Sequence, residues 1–261
     1  MLSDERRRAL ADALATAERD RKPIAPLLES DPGMDVVDAY EIQLLQIRDK
    51  LAAGRVVRGH KVGLSSRAMQ RMMGVDEPDY GHLLDDMFVF ETEQVAVSSM
   101  CQPRVEFEVA FVLGEALPAP GCTVGDVLRA TSHVSPSIEI IDSRIADWRI
   151  GLCDTIADNA SSARVVLGGN AVSVADVDLR LIGALAFKNG EIVETGVSGA
   201  VLGNPATAVA WLANKVHEFG VRLEPGHVIL PGSCTRAVDV SAGDVITAEF
   251  SRLGSVTVSF V

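Results

Sequence analysis

Glu106 and Glu108 stand two residues apart in Arg104-Val105-Glu106-Phe107-Glu108-Val109-Ala110-Phe111-Val112-Leu113. The alternation of a strand puts Val105, Phe107, Val109, Phe111 and Leu113 on one apolar face. Both glutamates then point the other way, about 6.6 Å apart along the strand. Carboxylates that close in apolar surroundings repel each other and lose solvation. They require a proton, a cationic side chain or a metal ion between them. Glu139, in Ser137-Ile138-Glu139-Ile140-Ile141, is likewise costly among isoleucines unless paired. Three carboxylates without Cys or His at ligand spacing suit a hard divalent cation, Mg²⁺ or Mn²⁺, and not zinc. Asp142 is a rival third ligand, or else a turn residue ahead of Ser143-Arg144. The competing reading of the glutamate pair is the solvated face of an edge strand.

Lys61 lies in Gly59-His60-Lys61-Val62-Gly63-Leu64. It either reaches solvent from a strand end, or is a partly buried ammonium that binds a substrate carboxylate or moves a proton, its pKa lowered by burial. The flanking glycines let backbone and ligand approach closely. His60 and His82 read as packed or surface histidines, with a catalytic role as the alternative; His133, His217 and His227 read as structural. Asp79, in Pro78-Asp79-Tyr80-Gly81, sits where aspartate usually serves a turn. Asp158-Asn159-Ala160-Ser161-Ser162 is either a plain turn or a cluster of small polar groups able to hydrogen-bond a ligand oxygen.

These residues must be held by short strands. The first 55 residues read helical: Ser3 caps a helix carrying Leu10, Ala13, Leu14 and Ala17, and Asp35 caps another to about Ala53, with Val36, Tyr40, Leu44, Ile47 and Leu51 on one stripe. From Val56 onward the pattern is strands and glycines: Val56 to Leu64, 104 to 113, Ser137 to Ile141, an Asn189-Gly190 hairpin, and strands near 244 to 250 and 255 to 260. Short helices are expected over Ser65 to Met73, after Thr123, and from Asn204-Pro205 to Val216. The division is a helical region, 1–55, and a strand-rich body, 56–261. The class is α+β, and the lack of βα alternation argues against a Rossmann fold.

The 261 residues permit one large core. A formal charge of -12 argues against a nucleic-acid binder, and no apolar run approaches the roughly 18 residues of a membrane span. Four cysteines at gaps matching no zinc site, with no secretory leader in front of them, fit reduced thiols and a cytoplasmic location.

Taken together, several motifs resemble the 2-hydroxypenta-2,4-dienoate (2-keto-4-pentenoate) hydratases of the fumarylacetoacetate hydrolase superfamily. They are Gly59 to Ser66, Met73 to Gly81, Pro103 to Glu108, Ile141 to Arg144, Ala157 to Ser162 and Leu230 to Thr235. The match runs from about Asp35 to the C-terminus. It implies that superfamily's mixed-β body wrapped by helices, and Mg²⁺ or Mn²⁺ on Glu106, Glu108 and Glu139. It implies Lys61, Leu83 and Ser161 as substrate-binding residues, with Lys61 and Asp79 catalytic. Homo-oligomers, often pentamer-based, are implied, as is a place in meta-cleavage catabolism of aromatic or steroid rings, with association to a neighbouring pathway enzyme as a further option. The hydratases resemble this chain in carrying Asp79, where the related 4-oxalocrotonate decarboxylases carry an apolar residue. The implied reaction ketonises a 2-hydroxy-2,4-dienoate, then adds water at C4 to give a 4-hydroxy-2-oxo acid. The alternatives are a 4-oxalocrotonate decarboxylase, a C–C hydrolase (which would want a His–Glu water activator, not evident here) and a non-catalytic partner subunit.

Overall fold

The computed structural model describes all residues except Ala68, Met69, Met72 and Met73. The helix expected over Ser65 to Met73 therefore lies partly outside the described residues. Elsewhere the expected elements form. Ser3 accepts from the Arg6 N–H and opens a helix over Asp4–Asp20. Asp35 and Asp38 make a reciprocal capping box that opens the helix Val36–Ala52. That helix buries Tyr40, Leu44 and Ile47 as its stripe predicts, but Leu51, in its last turn, is exposed. Asn189 and Gly190 both take positive φ at the hairpin, and Asn204 caps the helix Pro205–His217.

Thirteen strands among the described residues form two sheets. The larger contains β1 (Val57–Gly63), β2 (Asp79–Leu84), β3 (Phe88–Val89), β5 (Pro103–Leu113), β6 (Thr131–Asp142), β7 (Ser162–Leu167) and β10 (Val228–Leu230), in the order β2-β1-β10-β5-β6-β7-β3. The short β11 (Val238–Asp239) pairs with β5 off this path. The smaller sheet runs β4 (Gln94–Val95), β13 (Gly254–Phe260), β12 (Val245–Phe250), β8 (Gly183–Lys188) and β9 (Glu191–Val197). The larger sheet must curl. Its two ends, β2 and β3, are joined by the chain from Leu84 to Phe88. That chain reaches about 14 Å at most, whereas seven flat strands would set the ends about 29 Å apart.

Curling gives the sheet an inner and an outer face, and each buries its own apolar cluster. Val62, Tyr80, Val105, Phe107, Val109, Phe111, Ile138 and Ile140 join the main core outside. Leu83, Ala110, Val165, Val228 and Leu230 pack inside. The glutamate strand is thus central, and the edge-strand reading of its pair is overturned: β5 pairs β6 along its length and β10 on its other side.

A buried strut supports the turn after the short helix Leu152–Ala157. Arg144 ion-pairs with Asp158, and Asp158 Oδ2 accepts from the Arg144 main-chain N–H at 2.9 Å. The guanidinium also donates to the carbonyl of Asp142 at 2.6 Å. Removing one member of a buried pair leaves the other charge uncompensated. Arg144→Met is therefore expected to lower unfolding stability by on the order of 3–5 kcal/mol, read as a lower urea midpoint at unchanged slope. An unmoved midpoint would show that the strut contributes nothing.

Candidate metal centre and active site

Strand register brings the three glutamates together. Glu106 pairs directly with Glu139 across β5 and β6, and Glu108 follows one step along the same inner face. One carboxylate oxygen from each lies within 4.8 Å of the others. Glu108 and Glu139 are fully buried; Glu106 keeps some solvent contact although it lies deep among neighbouring atoms, as a group lining a recess does. Each fully buried carboxylate has one oxygen tied by the protein. Gly232 N–H donates to Glu108 Oε2 at 2.7 Å, and the Ser162 hydroxyl donates to Glu139 Oε1 at 2.9 Å. Glu108 Oε1 has no partner. Three hard oxygen donors in close quarters, one of them left without a partner, fit a divalent cation.

The electrostatics agree. Burial, followed by the charges of Glu139 and Glu106, pushes the Glu108 carboxyl well above the ordinary carboxylate range. Burial also raises Glu139, to about 7, against the pull of Lys61, and raises Glu106 in the same way. These groups titrate as a set, and holding all three ionised requires positive charge among them.

Lys61 supplies one charge. Its β1 position faces inward, buried, with Nζ 3.3 Å from Glu139 Oε2 and 3.0 Å from the Ala160 carbonyl it donates to. The lowered pKa expected for Lys61 is corrected. Burial does act downward, but Glu139, Glu106, Asp79 and Glu108 together outweigh it and raise the pKa. Among these carboxylates Lys61 stands as an ammonium.

Asp79 lies across from Gly63 on β2, buried on the same inner face. A Cβ at Gly63 would stand 2.1 Å from Asp79 Oδ1, so glycine there is what gives the carboxyl its room. Burial raises the pKa of this carboxyl, with Lys61 and then Thr155 pulling the other way. Asp79 Oδ1 has no partner. Ser161, the last of three successive residues at positive φ, is buried with its Oγ also unpartnered. Leu83 shares the inner face with Gly81 and Asp79 and packs against Ala110, Val165, Val228 and Leu230.

Other candidates fall outside the centre. Asp142 is the last residue of β6, not the turn residue expected, and its carboxylate accepts from the N–H groups of Cys101 and Gln102 outside the glutamate cluster. Asp158 belongs to the Arg144 strut. His60 and His82 point to the outer face with rings 4.8 Å apart; burial depresses both, His82 to about 4. Cys234 is buried, its Sγ on the Phe107 carbonyl at 3.4 Å, and all four thiols are free. The main-chain partners, Ala160 O and Gly232 N–H, carried no side-chain signal, while Ser162 stood in the polar cluster without an assigned role.

The model of the fumarylacetoacetate hydrolase C-terminal family matches residues 53–261. The chain belongs to the fumarylacetoacetate hydrolase family. It is 43% identical over 258 residues to 2-oxo-hept-4-ene-1,7-dioate hydratase of Escherichia coli, covering 97% of each chain. It is 42% identical over 259 residues to 2-keto-4-pentenoate hydratase of Paraburkholderia xenovorans (strain LB400), covering 99% of this chain and 96% of that one. Among solved structures, 4-oxalocrotonate decarboxylase from Pseudomonas putida G7, complexed with magnesium and adipate, superposes with a TM-score of 0.97 at 40% identity over 100% of this chain and 99% of that chain.

For this member of the fumarylacetoacetate hydrolase family, metal uptake should release protons. A carboxyl whose pKa is raised keeps its proton where a free carboxyl has lost it, and a cation takes only the ionised form. Apparent Mg²⁺ affinity should therefore be higher at pH 8 than at pH 6, on either side of about 7, the Glu139 value. Calorimetric titration at pH 6 and pH 8 in buffers of different ionisation enthalpy measures both quantities. Affinity independent of pH, with no proton release, would show the cluster already ionised before the metal arrives.

Proposed function

We propose that the chain is a divalent-metal-dependent hydro-lyase that adds water to 2-hydroxypenta-2,4-dienoate, or a C5-substituted homologue, giving a 4-hydroxy-2-oxo acid. The observation that carries this reading is Asp79: a buried carboxyl with an unpartnered oxygen, on the carboxylate face but outside the three-glutamate cluster. Water addition needs a group that can orient a water molecule and take its proton. Decarboxylation needs no such base. That second reading keeps its weight from the 0.97 superposition on a decarboxylase.

Glu106, Glu108 and Glu139 would hold Mg²⁺ or Mn²⁺. When bound, the cation supplies Lewis-acid stabilisation of negative charge on the substrate's C2 oxygen. Lys61, as an ammonium, binds the C1 carboxylate. Ser161 Oγ donates to a substrate oxygen, and Leu83 gives an apolar contact on the inner face. Loss of the C2 hydroxyl proton and gain of one at C5 first convert the dienol to the isomeric 2-oxo-3-enoate, whose C4 is electrophilic. Asp79 then orients water toward C4 and accepts the proton that leaves as the C–O bond forms. C3 requires one proton to complete the product, so Asp79 returns ionised and one water has been added overall. A raised pKa suits a group that must both take and give that proton.

On this reading residues 56–261 form the catalytic unit, with 1–55 as a helical region around it. The protomers assemble into a homo-oligomer, pentamer-based, that serves meta-cleavage catabolism, with a neighbouring pathway enzyme as its potential partner. Names of relatives support the chemistry.

Asp79→Asn should lower the hydration kcat by about 10²- to 10⁴-fold, followed as ultraviolet decay of the dienoate at saturating Mg²⁺, which the three untouched glutamates still bind. Full hydration by the variant removes Asp79 from the scheme. CO₂ release from 4-oxalocrotonate by a wild-type protein inert toward dienoates would replace the hydratase reading with the decarboxylase one.

A further inference from the structure

β2 ends the larger sheet, so one side of its backbone has no neighbouring strand. At His82 that open side is closed by a single side chain. Asn159 Oδ1 accepts from the His82 N–H at 2.8 Å, and Asn159 Nδ2 donates to the His82 carbonyl at 2.9 Å. One amide thus does at this point what a strand would do, because only Asn and Gln carry donor and acceptor together in that geometry. The main chain of Asn159 also presses against β2: a Cβ at Gly81 would stand 2.4 Å from the Asn159 carbonyl oxygen. Asn159, Ala160 and Ser161 have φ of 53°, 50° and 55°. Asn tolerates this left-handed region better than most residues, and three in succession are held there only if the surroundings fix them.

Of the two residues after Asn159, the first touches the site and the second is buried beside it in the chain. Ala160 offers the carbonyl that takes the Lys61 ammonium at 3.0 Å, and Ser161 carries the unpartnered hydroxyl. Lys61 has one other partner at the site, Glu139. We propose that Asn159 is a positioning residue: by clamping the turn to the open edge of β2 it sets where the Lys61 ammonium and the Ser161 hydroxyl meet the substrate. The glutamate backbones stand on β5 and β6, outside the clamped turn, and only Glu139 has partners next to it, Ser162 and Lys61. The inference rests on the hydratase reading for its activity readout, and on the assignment of Lys61 and Ser161 to substrate for its binding readout.

Asn159→Gly removes the amide while leaving the left-handed backbone free of strain. The probes are Mg²⁺ alone, then 2-oxopentanoate (a saturated, unreactive 2-oxo acid) on the Mg²⁺-loaded protein, then the dienoate. Mg²⁺ affinity should fall by less than 2-oxopentanoate binding does, because Glu106 and Glu108 have no partner in the turn. Binding of 2-oxopentanoate should weaken by about tenfold, and kcat/KM for hydration should fall by about 100-fold, the scale of a misplacement near 1 Å. Asn159→Asp, which keeps the acceptor and loses the donor, should fall between wild type and Asn159→Gly, and serves alone where the glycine variant does not fold. Reduced thermal stability with unchanged 2-oxopentanoate binding and unchanged kcat/KM overturns the proposal and leaves Asn159 a structural residue only. A wild type that binds 2-oxopentanoate yet does not hydrate the dienoate sinks the hydratase reading instead, and the binding arm still decides the role of Asn159.

Discussion

Four acidic side chains share one enclosed face with one ammonium. Glu106, Glu108, Glu139 and Asp79 look inward, and Lys61 is the cation among them. If all four ionise, three negative charges remain without a counter-charge in a place where water is scarce. Such a state does not persist in an apolar interior. Protons can relieve it, and burial, more than the neighbouring charges, pushes each of these carboxyls upward in pKa. A divalent cation relieves it while leaving the carboxylates ionised. The side chains cannot relax apart, because Glu106 and Glu139 are direct partners in a ladder that runs the whole length of β5. The fold therefore stores an electrostatic demand that a metal answers.

Much of what surrounds this demand is main chain. Gly232 donates its N–H to Glu108, Ala160 lends its carbonyl to Lys61, and Gly63 makes room for Asp79 by having no side chain. Backbone groups fixed in strands and a pinned turn have little freedom to lose when substrate arrives, so the site is organised before binding. The supporting elements act at a distance. Gln43, on the helix Val36–Ala52, donates to the carbonyls of Tyr80 and Ile156 and so ties β2 to the helix Leu152–Ala157. The N-terminal helices thereby bear on the position of Asp79 without contributing a reacting group.

The carboxylates were legible because a period-two pattern names a face: Val105, Phe107 and Val109 could only be buried one way, which sent Glu106 and Glu108 the other. Glu139 was legible because a charge among isoleucines must be compensated. The capping boxes at Asp35 and Thr123 and the Asn189-Gly190 turn were legible because their side-chain chemistry is local. The charge state of Lys61 was not, since it depends on four carboxylates whose convergence only the tertiary structure produces. Asn159 was not singled out either. An amide that substitutes for a strand has no periodicity, and its partner, His82, lies 77 positions away.

Buried polar atoms without partners are scarce in folded proteins, and each one calls for a reason. Among the described residues they include Glu108 Oε1, Glu139 Oε2, Asp79 Oδ1 and Ser161 Oγ; of these, Glu139 Oε2 has only its ion pair with Lys61. The rest are the hydroxyls of Tyr40 and Tyr80 and the ring of His60, which lie on the other side of the sheet. The inner-face atoms come from β2, β5, β6 and the turn before β7, elements distant in sequence. Leaving one polar group unsatisfied costs roughly 1–3 kcal/mol. Packing error would scatter such costs through the core. The three carboxylate oxygens among these unpartnered atoms stand on one face with one ammonium, and the proposed reading uses atoms left open: carboxylate oxygens for a cation, a carboxylate oxygen for water, and a hydroxyl for the substrate.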